Sequence, residues 1–317
     1  MNGVLIIDKP KGITSHEVVL RIRKKFGKRK VGHLGTLDPL ASGVLPVCMG
    51  EATKLSQFLI DEDKEYIATI LLGTTTDTWD LDGEVVRESP TSHITDESIK
   101  RELSRIENST EQIPPRFSAI KYRGRPLYEF ARRGIEVPTQ KRAVKVYSLI
   151  LLEVEIPDIK IFIHCSKGTY IRSVANDLGK HLGCGACLKE LRRVRSGTFT
   201  IDDAISLDKL KVDHSFFEEK IVPVDEAVEY PRMTLTCNGV KRVRNGNYIR
   251  VCDIHEFSSL KFRKDLLVKL YSHDGLFLAV GRVMEDIPDS VGFFNKRVID
   301  VVKQFNVCER RKEEKWG

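Results

Sequence analysis

Two neighbouring segments rich in Val, Ile and Leu constrain the fold of this chain more than any other feature. They span residues 143–156 and 159–165, and only Pro157 and Asp158 separate them. A connection this short joins antiparallel strands, because parallel strands require a crossover of a dozen residues or more. The chain must therefore contain an antiparallel sheet.

Other segments add strands and helices to this hairpin. Thr14 and Glu17 form a capping-box pattern that begins a helix, and Gly27 ends it. The remaining predicted elements of this part are strands over residues 3–7, 66–73 and 195–201 and a helix over residues 170–182. The fold class that follows is α+β, with a mixed, mostly antiparallel sheet.

The chain is predicted to contain two domains of unequal size. A length of 317 residues corresponds to about two domains. Residues 221–231 lack a clear helix or strand periodicity and resemble a linker. Short strands with Gly turns follow, which is typical of a small β-barrel. We therefore place a first domain over residues 1–228, a β-barrel domain over residues 229–309 and a frayed charged tail over residues 310–317.

Composition excludes several classes of protein. The hydrophobic fraction of 41% and the charged fraction of 31% are typical of a soluble globular chain. Uncharged apolar runs stay below the roughly 18 residues that a membrane span needs. Asp8 and Lys9 follow the first short apolar run directly, which is not the pattern of a signal peptide. We therefore expect a cytoplasmic protein that does not bind membranes.

The cysteines are predicted to be reduced and structural. Seven cysteines is an odd number, and a chain without an export signal keeps its thiols reduced. His181, Cys184 and Cys187 have a spacing that a metal could use, but a structural zinc site needs four ligands and the second pair is missing. We expect buried thiols beside a Gly-rich turn and no bound metal.

The net charge of +7 conceals an uneven distribution. Residues 77–111 contain ten acids and four bases, a net of −6, whereas residues 116–142 contain eight bases and two acids, a net of +6. The basic segment also carries aromatic residues, and its Gly and Pro residues exclude a long helix. It can be a surface for single-stranded nucleic acid or a solvated loop with aromatic anchors. Three more basic stretches, over residues 24–30, 189–195 and 241–250, favour a polyanionic partner.

The segment over residues 31–50 is dense in Gly, Leu and Pro and is predicted to be a structured loop or a short strand pair. It contains the run GHLGTLDPLASGVL, with one imidazole, His33, and one carboxylate, Asp38, five residues apart. Asp before Pro is also a common turn opener, so spacing alone leaves a catalytic and a structural interpretation open.

This run resembles the catalytic loop of the TruB family of tRNA pseudouridine synthases. Further stretches that resemble the family follow in its order over nearly the whole chain: IIDKPKGITSH, KEYIATILLG, TTTDTWDLDGEV, IPPRFSAIKYRGRPLYEFARRG, GTYIRSVANDLG and LKELRRVRSG. The C-terminal module resembles a PUA domain, an RNA-binding β-barrel.

The resemblance implies an isomerase that converts uridine to pseudouridine in the T-arm loop of tRNA, at position 55. Uracil is detached from its ribose at N1, turned and rejoined through C5, so the reaction implies no cofactor and no metal. The implied partner is tRNA, reached by base flipping. We expect a monomer without an obligatory protein partner.

The resemblance also assigns roles to single residues. Asp38 is the covalent catalyst, Arg172 pairs with it, and Tyr66 stacks on the target base. The implied substrate-binding residues are His33, Tyr66, Tyr170 and Leu191. Tyr170 and Arg172 are alternate residues of a segment that, if extended, directs both side chains into one pocket.

The basic, aromatic segment corresponds to a family insertion over about residues 110–142 that clamps the RNA. The implied RNA-binding residues are Lys64, Arg116, Lys121, Arg123, Arg125, Arg132 and Arg133. Two alternatives remain. The chain can be a guide-RNA-dependent relative, which activity on bare tRNA would exclude. It can also be a non-catalytic RNA-binding or RNA-folding protein, which an essential Asp38 would exclude.

Overall fold

The computed structural model describes residues 2–27, 30–211, 214–257, 262–286 and 295–306. Within these ranges the chain forms seven α-helices: α1 (Ser15–Phe26), α2 (Ser56–Leu59), α3 (Asp96–Glu107), α4 (Leu127–Ala131), α5 (Ile171–Leu182), α6 (His214–Lys220) and α7 (Cys237–Arg244). Three 3-10 helices span Gly50–Leu55, Leu207–Lys211 and Val251–Asp253. In this part of the chain, no helix is both long enough and apolar enough to cross a membrane.

Strands dominate the described structure. The first fifteen are β1 (Gly3–Lys9), β2 (Val31–His33), β3 (Ala41–Met49), β4 (Lys64–Leu72), β5 (Thr74–Thr76), β6 (Val85–Glu88), β7 (Glu111–Gln112), β8 (Lys121–Tyr122), β9 (Arg125–Pro126), β10 (Arg142–Ala143), β11 (Val146–Glu155), β12 (Asp158–Cys165), β13 (Ala186–Ser196), β14 (Phe199–Thr200) and β15 (Ile205–Ser206). The last six are β16 (Arg232–Leu235), β17 (Ile249–Arg250), β18 (Ile254–Phe257), β19 (Leu267–Tyr271), β20 (Phe277–Val283) and β21 (Arg297–Gln304).

The large sheet has the strand order β11-β12-β4-β13-β3-β1-β15, with β2 paired to β3 and β14 to β13. The predicted hairpin is its outer edge, since β11 and β12 pair antiparallel. Most other pairs are also antiparallel, and the exceptions on this path are β13 with β3 and β1 with β15. The predicted α+β fold with a mixed, mostly antiparallel sheet is confirmed.

Strand β1 shows how the large sheet is buried on both faces. Leu5 and Ile7 belong to a core cluster that also holds apolar residues of α1, α3 and α5. Val4 and Ile6 point to the opposite face and belong to a second cluster, which includes Phe277 of the C-terminal module. Because successive strand residues face opposite ways, this central strand is apolar throughout.

The C-terminal module is a six-stranded sheet of order β17-β21-β20-β19-β16-β18 with its own core. It contacts the 3-10 helix Gly50–Leu55, where Lys54 Nζ donates to the carbonyl of Gln304 at 3.0 Å and lies 5.9 Å from the Phe305 ring. The β-rich character agrees with the sequence prediction, whereas α7 was not predicted. The charged tail 310–317 lies outside the described residues.

Local predictions were largely correct where a short-range signal existed. Thr14 caps α1 by accepting a hydrogen bond from the Glu17 backbone at 3.0 Å, and Gly27 follows the last helical residue. The segment over residues 31–50 is the predicted strand pair, β2 and β3. The single strand predicted over residues 195–201 was wrong: residues Ala186–Ser196 form one long strand, and a turn at Gly197 leads into β14.

Candidate active site

A cavity of about 1000 Å³ opens where several elements of the first domain meet. Its wall includes five of the predicted catalytic and substrate-binding residues: Asp38, Tyr66, Tyr170, Arg172 and Leu191. They come from the loop between β2 and β3, from β4, from the beginning of α5 and from β13. The large sheet therefore brings together side chains that are far apart in the sequence.

The loop that carries Asp38 is fastened on both sides of that residue. The Ser15 hydroxyl, which is buried, donates to the Leu37 carbonyl at 2.9 Å and accepts from the Leu37 amide at 2.8 Å. The Pro39 carbonyl accepts from the Gly12 amide at 2.8 Å and from Lys9 Nζ at 3.4 Å. Asp38 itself remains 39% exposed, so a fixed backbone presents a carboxylate that a substrate can reach.

Arg172 holds the Asp38 carboxylate. Its Nη2 atom lies 2.9 Å from Asp38 Oδ2 and also donates to the Phe117 carbonyl at 3.0 Å, while Nη1 donates to the Thr78 carbonyl at 3.3 Å. The Arg172 side chain is only 6% exposed. Among the described residues, Asp38 Oδ1 has no hydrogen-bond or ion-pair partner. One carboxylate oxygen is therefore fixed and the other faces the cavity.

The extended segment proposed for Tyr170 and Arg172 was wrong. Tyr170 is the N-cap residue of α5, and Arg172 lies in the first turn of that helix. Both side chains still reach the cavity, because the chain enters the helix at its wall. Burial raises the pKa of the Tyr170 hydroxyl, which therefore stays protonated at neutral pH.

A second carboxylate, Asp80, also contacts Arg172. Asp80 Oδ2 lies 3.6 Å from Arg172 Nε, and Oδ1 accepts a hydrogen bond from the Thr78 hydroxyl at 2.6 Å. Burial raises the pKa of Asp80, and the hydrogen bond from Thr78 and the charge of Arg172 oppose that shift. Arg172 thus lies between an accessible carboxylate and a buried one.

Tyr66 and Leu191 lie on neighbouring strands, β4 and β13. Both are buried, and Tyr66 is directly opposite Arg193 in the antiparallel register. Arg193 is 1% exposed; its Nε donates to the Val44 carbonyl at 2.7 Å, and its Nη2 donates to the Gly35 carbonyl at 3.3 Å. Burial raises the pKa of Tyr66. The cavity wall therefore contains a buried tyrosine and, in the paired position, a buried guanidinium.

Two predicted contact residues occupy less direct positions. His33 does not line the cavity, and burial together with Arg193 lowers its pKa, which favours the neutral imidazole. Lys64 does line the cavity, but its Nζ donates to the backbone carbonyls of Ile60 and Glu62. Burial lowers the pKa of Lys64 to about 8.

The insertion over residues 110–142 is a jointed loop, as its Gly and Pro residues predicted. It contains the hairpin β8–β9 and the short helix α4, and its two ends pair through β7 and β10. Arg132 lines the cavity and lies 5.4 Å from the Tyr128 ring. The other predicted RNA-binding arginines and lysine of this segment are exposed away from the cavity wall: Arg116, Lys121, Arg123, Arg125 and Arg133.

The cations of the basic stretch over residues 189–195 have partners within the protein. Arg192 binds the Asp8 carboxylate through two hydrogen bonds of 3.1 and 2.9 Å, and Lys189 binds Asp158 at 2.5 Å. Arg195 donates to Glu65 at 2.7 Å, and Arg193 is buried. These cations are engaged within the protein.

The thiols of the His181 cluster are buried, as predicted. Cys184 and Cys187 are each at most 1% exposed, and burial raises the pKa of Cys187 to about 11. A thiol in that state is a poor metal ligand and a poor nucleophile. His181 lies 3.7 Å from the Glu102 carboxylate instead.

Sequence reasoning missed Arg193, Asp80 and Gln112. Arg193 lies in a run of basic residues that a charge count predicts to be surface cations. The charge count does not show which residues of β13 alternate toward the buried face. Asp80 lies in the acidic segment and in the stretch TTTDTWDLDGEV, but neither its charge nor the resemblance assigned it a role. Gln112 had no local signal, since its partner, Tyr170, is far along the chain. Recognition of the strand over residues 186–196 would have predicted the buried face of Arg193.

Comparison with known proteins identifies the family of this chain. A family described as "TruB family pseudouridylate synthase (N terminal domain)" matches residues 23–171, and one described as "tRNA pseudouridylate synthase B C-terminal domain" matches residues 172–229. A tRNA pseudouridine synthase B of Syntrophotalea carbinolica is 47% identical over 78% of this chain and 81% of its own length. One of Geotalea uraniireducens is 42% identical over 89% and 92%.

Solved structures show the same fold. A chain in the crystal structure of a Cbf5-Nop10-Gar1 complex aligns with a TM-score of 0.71 and 31% identity, over 96% of this chain and 84% of that chain. A chain of an H/ACA RNP bound to a substrate RNA containing 2'-deoxyuridine gives 0.68 and 29%, over 96% and 84%. On the identity and coverage of these relatives, the chain belongs to the TruB family of pseudouridylate synthases.

Proposed function

We propose that this protein is a tRNA pseudouridine synthase that isomerises the uridine at position 55, in the T-arm loop. The observation that carries the proposal is the Asp38–Arg172 ion pair of 2.9 Å at the wall of an open cavity, in a chain of this family. The enzyme acts on tRNA alone, as a cytoplasmic monomer without a protein partner.

The free oxygen of Asp38 is the group that reacts. Arg172 holds Oδ2, so Oδ1 can attack either the uracil ring or the ribose C1′. If Oδ1 attacks C1′, an Oδ1–C1′ bond replaces the N1–C1′ bond, the base turns, and C5 displaces Oδ1 to form the C5–C1′ bond. If Oδ1 attacks the ring, the N1–C1′ bond breaks, the base turns, the C5–C1′ bond forms, and the bond to Oδ1 then breaks. C5 then loses its proton and N1 carries one, so product and substrate are isomers and no oxidant or water is consumed.

The cavity wall is suited to a flipped uracil. Tyr66 offers an aromatic face, Leu191 an apolar surface and Tyr170 a protonated hydroxyl. Removing a base from an RNA stack costs a few kcal/mol, which stacking of about 1–3 kcal/mol per base can offset. The neutral form of His33 suits a side chain that takes the vacated place in the RNA.

Two regions are proposed to bind the RNA outside the cavity. The insertion over residues 110–142 clamps the T-arm loop through its basic side chains: Arg116, Lys121, Arg123, Arg125, Arg132 and Arg133. Lys64 supports the cavity wall. The C-terminal module, as a PUA-like domain over residues 229–309, contributes Tyr248, whose ring lies 4.7 to 5.7 Å from three guanidinium groups, those of Arg242, Arg250 and Arg297.

The proposal is tested with an unmodified tRNA transcript. Wild-type protein should convert the T-arm uridine to pseudouridine without any added cofactor, and Asp38→Asn should give no product. A transcript in which that single uridine is replaced by cytidine is the substrate control. Product at another uridine, or product from Asp38→Asn, would reject the assignment.

The solved structures favour one other candidate, a guide-RNA-dependent synthase, since chains of a Cbf5-Nop10-Gar1 complex and of an H/ACA RNP share the fold. The bare transcript distinguishes the two. Conversion by the purified chain alone supports the stand-alone enzyme, and conversion only after guide RNA is added supports the guided one.

A further inference from the structure

The insertion over residues 110–142 is fastened to the beginning of α5 at three successive points. Gln112 binds the backbone of Tyr170, the Ile113 carbonyl accepts from the Ser173 hydroxyl at 2.8 Å, and the Phe117 carbonyl accepts from Arg172. These bonds involve the helix turn that supplies two cavity residues. The base of the insertion and the beginning of α5 therefore form one unit.

Gln112 makes the most specific of these contacts. Its Oε1 accepts from the Tyr170 amide at 2.8 Å, and its Nε2 donates to the Tyr170 carbonyl at 3.0 Å. The side chain is 8% exposed, and its backbone pairs with Arg142 at the other end of the insertion. The buried side-chain amide of Gln112 thus connects the paired ends of the insertion to Tyr170, which lines the cavity.

The geometry also shows why a shift of the insertion reaches the reacting group. Arg172 Nη2 is shared between the Phe117 carbonyl at 3.0 Å and Asp38 Oδ2 at 2.9 Å. Since one nitrogen atom serves both, displacement of Phe117 changes the position from which Arg172 holds the carboxylate. Misplacement of a catalytic group by about 1 Å can cost about 10²-fold in rate.

We propose that Gln112 is a positioning residue that couples engagement of the RNA by the insertion to the alignment of Tyr170 and Arg172. The proposal rests on the proposed function, because alignment is defined toward a flipped uridine. In this role the insertion grips the RNA and also completes the active site. Gln112 does not contact the substrate; it acts through the backbone of Tyr170.

The test is single-turnover conversion of the tRNA transcript at saturating enzyme, with the dissociation constant measured separately by filter binding. Gln112→Leu keeps the size of the side chain and removes both hydrogen bonds. We expect its rate to fall about tenfold to a hundredfold, while the dissociation constant stays within about threefold of wild type, because the phosphate contacts remain. The matched control, Gln140→Leu, changes an exposed glutamine of the same insertion and should leave both quantities unchanged.

A double-mutant cycle separates coupling from a merely structural role. Arg132→Ala/Arg133→Ala weakens engagement of the RNA by the insertion, and at saturation it should lower the rate in the wild-type background. In the Gln112→Leu background the same pair should have little further effect on the rate. Additive losses would contradict the coupling.

Ser173→Ala provides a second variant with a minimal change, since it removes the bond to the Ile113 carbonyl. We expect the rate of Ser173→Ala to fall less than that of Gln112→Leu, with an unchanged dissociation constant. If Gln112→Leu does not fold, the rate of Ser173→Ala alone tests the coupling. Wild-type rates for both variants would overturn the proposal and leave the proposed function intact. A wild-type protein that makes no pseudouridine would contradict the proposed function, and the coupling with it.

Discussion

The catalytic loop over residues 34–40 and the insertion over residues 110–142 face the same cavity but are held in opposite ways. In the loop, Leu34 and Leu37 are each 3% exposed, and a buried Ser15 fixes the backbone beside Asp38. In the insertion, Ile135 is 50% exposed and most cations face solvent. Chemistry requires a fixed geometry, whereas gripping a nucleic acid requires accessible charge. The difference assigns the chemical step to the loop and the grip on the RNA to the insertion.

The largest effect is expected at the partner of the catalytic carboxylate. Arg172→Met leaves Asp38 without its cation and Asp80 as a buried, unpaired carboxylate. The single-turnover rate should fall by about 10²–10³-fold, since an aligned electrostatic partner is lost. Arg172→Lys should restore only part of the rate, because it lacks the planar fork that reaches the four partners of Arg172. Equal rates for Lys and Arg would mean that charge alone suffices.

Two glycines compare the packing of β3 directly after the catalytic loop, where Gly43 lies, with that of the insertion, which contains Gly134. Both adopt positive φ, +102° at Gly43 and +66° at Gly134. A Cβ on Gly43 would lie 2.2 Å from the Arg193 carbonyl oxygen, whereas one on Gly134 would meet nothing within 4 Å. Gly134→Ala should cost about 1 kcal/mol of unfolding free energy, and Gly43→Ala at least about 2 kcal/mol more. Denaturant unfolding measures both free-energy costs, and equal costs would contradict the tight packing of β3 beside the loop.

The exposed cations of the insertion should contribute affinity, in addition to the effect on the rate at saturation that the coupling through Gln112 predicts. Arg132→Ala/Arg133→Ala should weaken tRNA binding and reduce the slope of log Kd against log salt by about 2, one unit for each lost phosphate contact. Arg101→Ala/Arg105→Ala on α3 is the control, with side chains 71% and 69% exposed. An unchanged slope for the insertion pair would place both arginines in solvent when the RNA is bound.

The smallest effect concerns His33 and pH. Its pKa is lower in the folded chain than the ordinary value of 6.5, so below that pH the unfolded chain binds more protons. His33 therefore decreases the free energy of unfolding as the pH falls through 6.5. The stability of wild type relative to His33→Gln should decline from pH 7.5 to 5.5 when followed by urea unfolding, and His93→Gln, an exposed site, is the control. A flat difference would mean that His33 titrates normally.

Local signals predicted much of the fold, and the resemblance supplied most of the site. The cap at Thr14, the turn at Pro157 and Asp158 and the strand pair around Asp38 each depend on neighbours in sequence, and the structure has them. Asp80 and Gln112 depend on partners more than thirty residues away, Arg172 and Tyr170, which neither periodicity nor composition reports. For Arg193, the alternation along β13 predicts burial but does not identify its partners. The same limit explains why a charge count does not report the ion pairs that the cations of β13 form.

The dissociation constant of the inactive Asp38→Asn protein for unmodified tRNA tests the division between loop and insertion most directly. The insertion is intact in this variant, so binding should remain tight and salt-dependent. Adding Arg132→Ala/Arg133→Ala to it should weaken binding severalfold. If Asp38→Asn alone binds tRNA as weakly as Asp38→Asn combined with Arg132→Ala/Arg133→Ala, the catalytic loop also supplies the grip. That result would contradict the division of roles between the loop and the insertion.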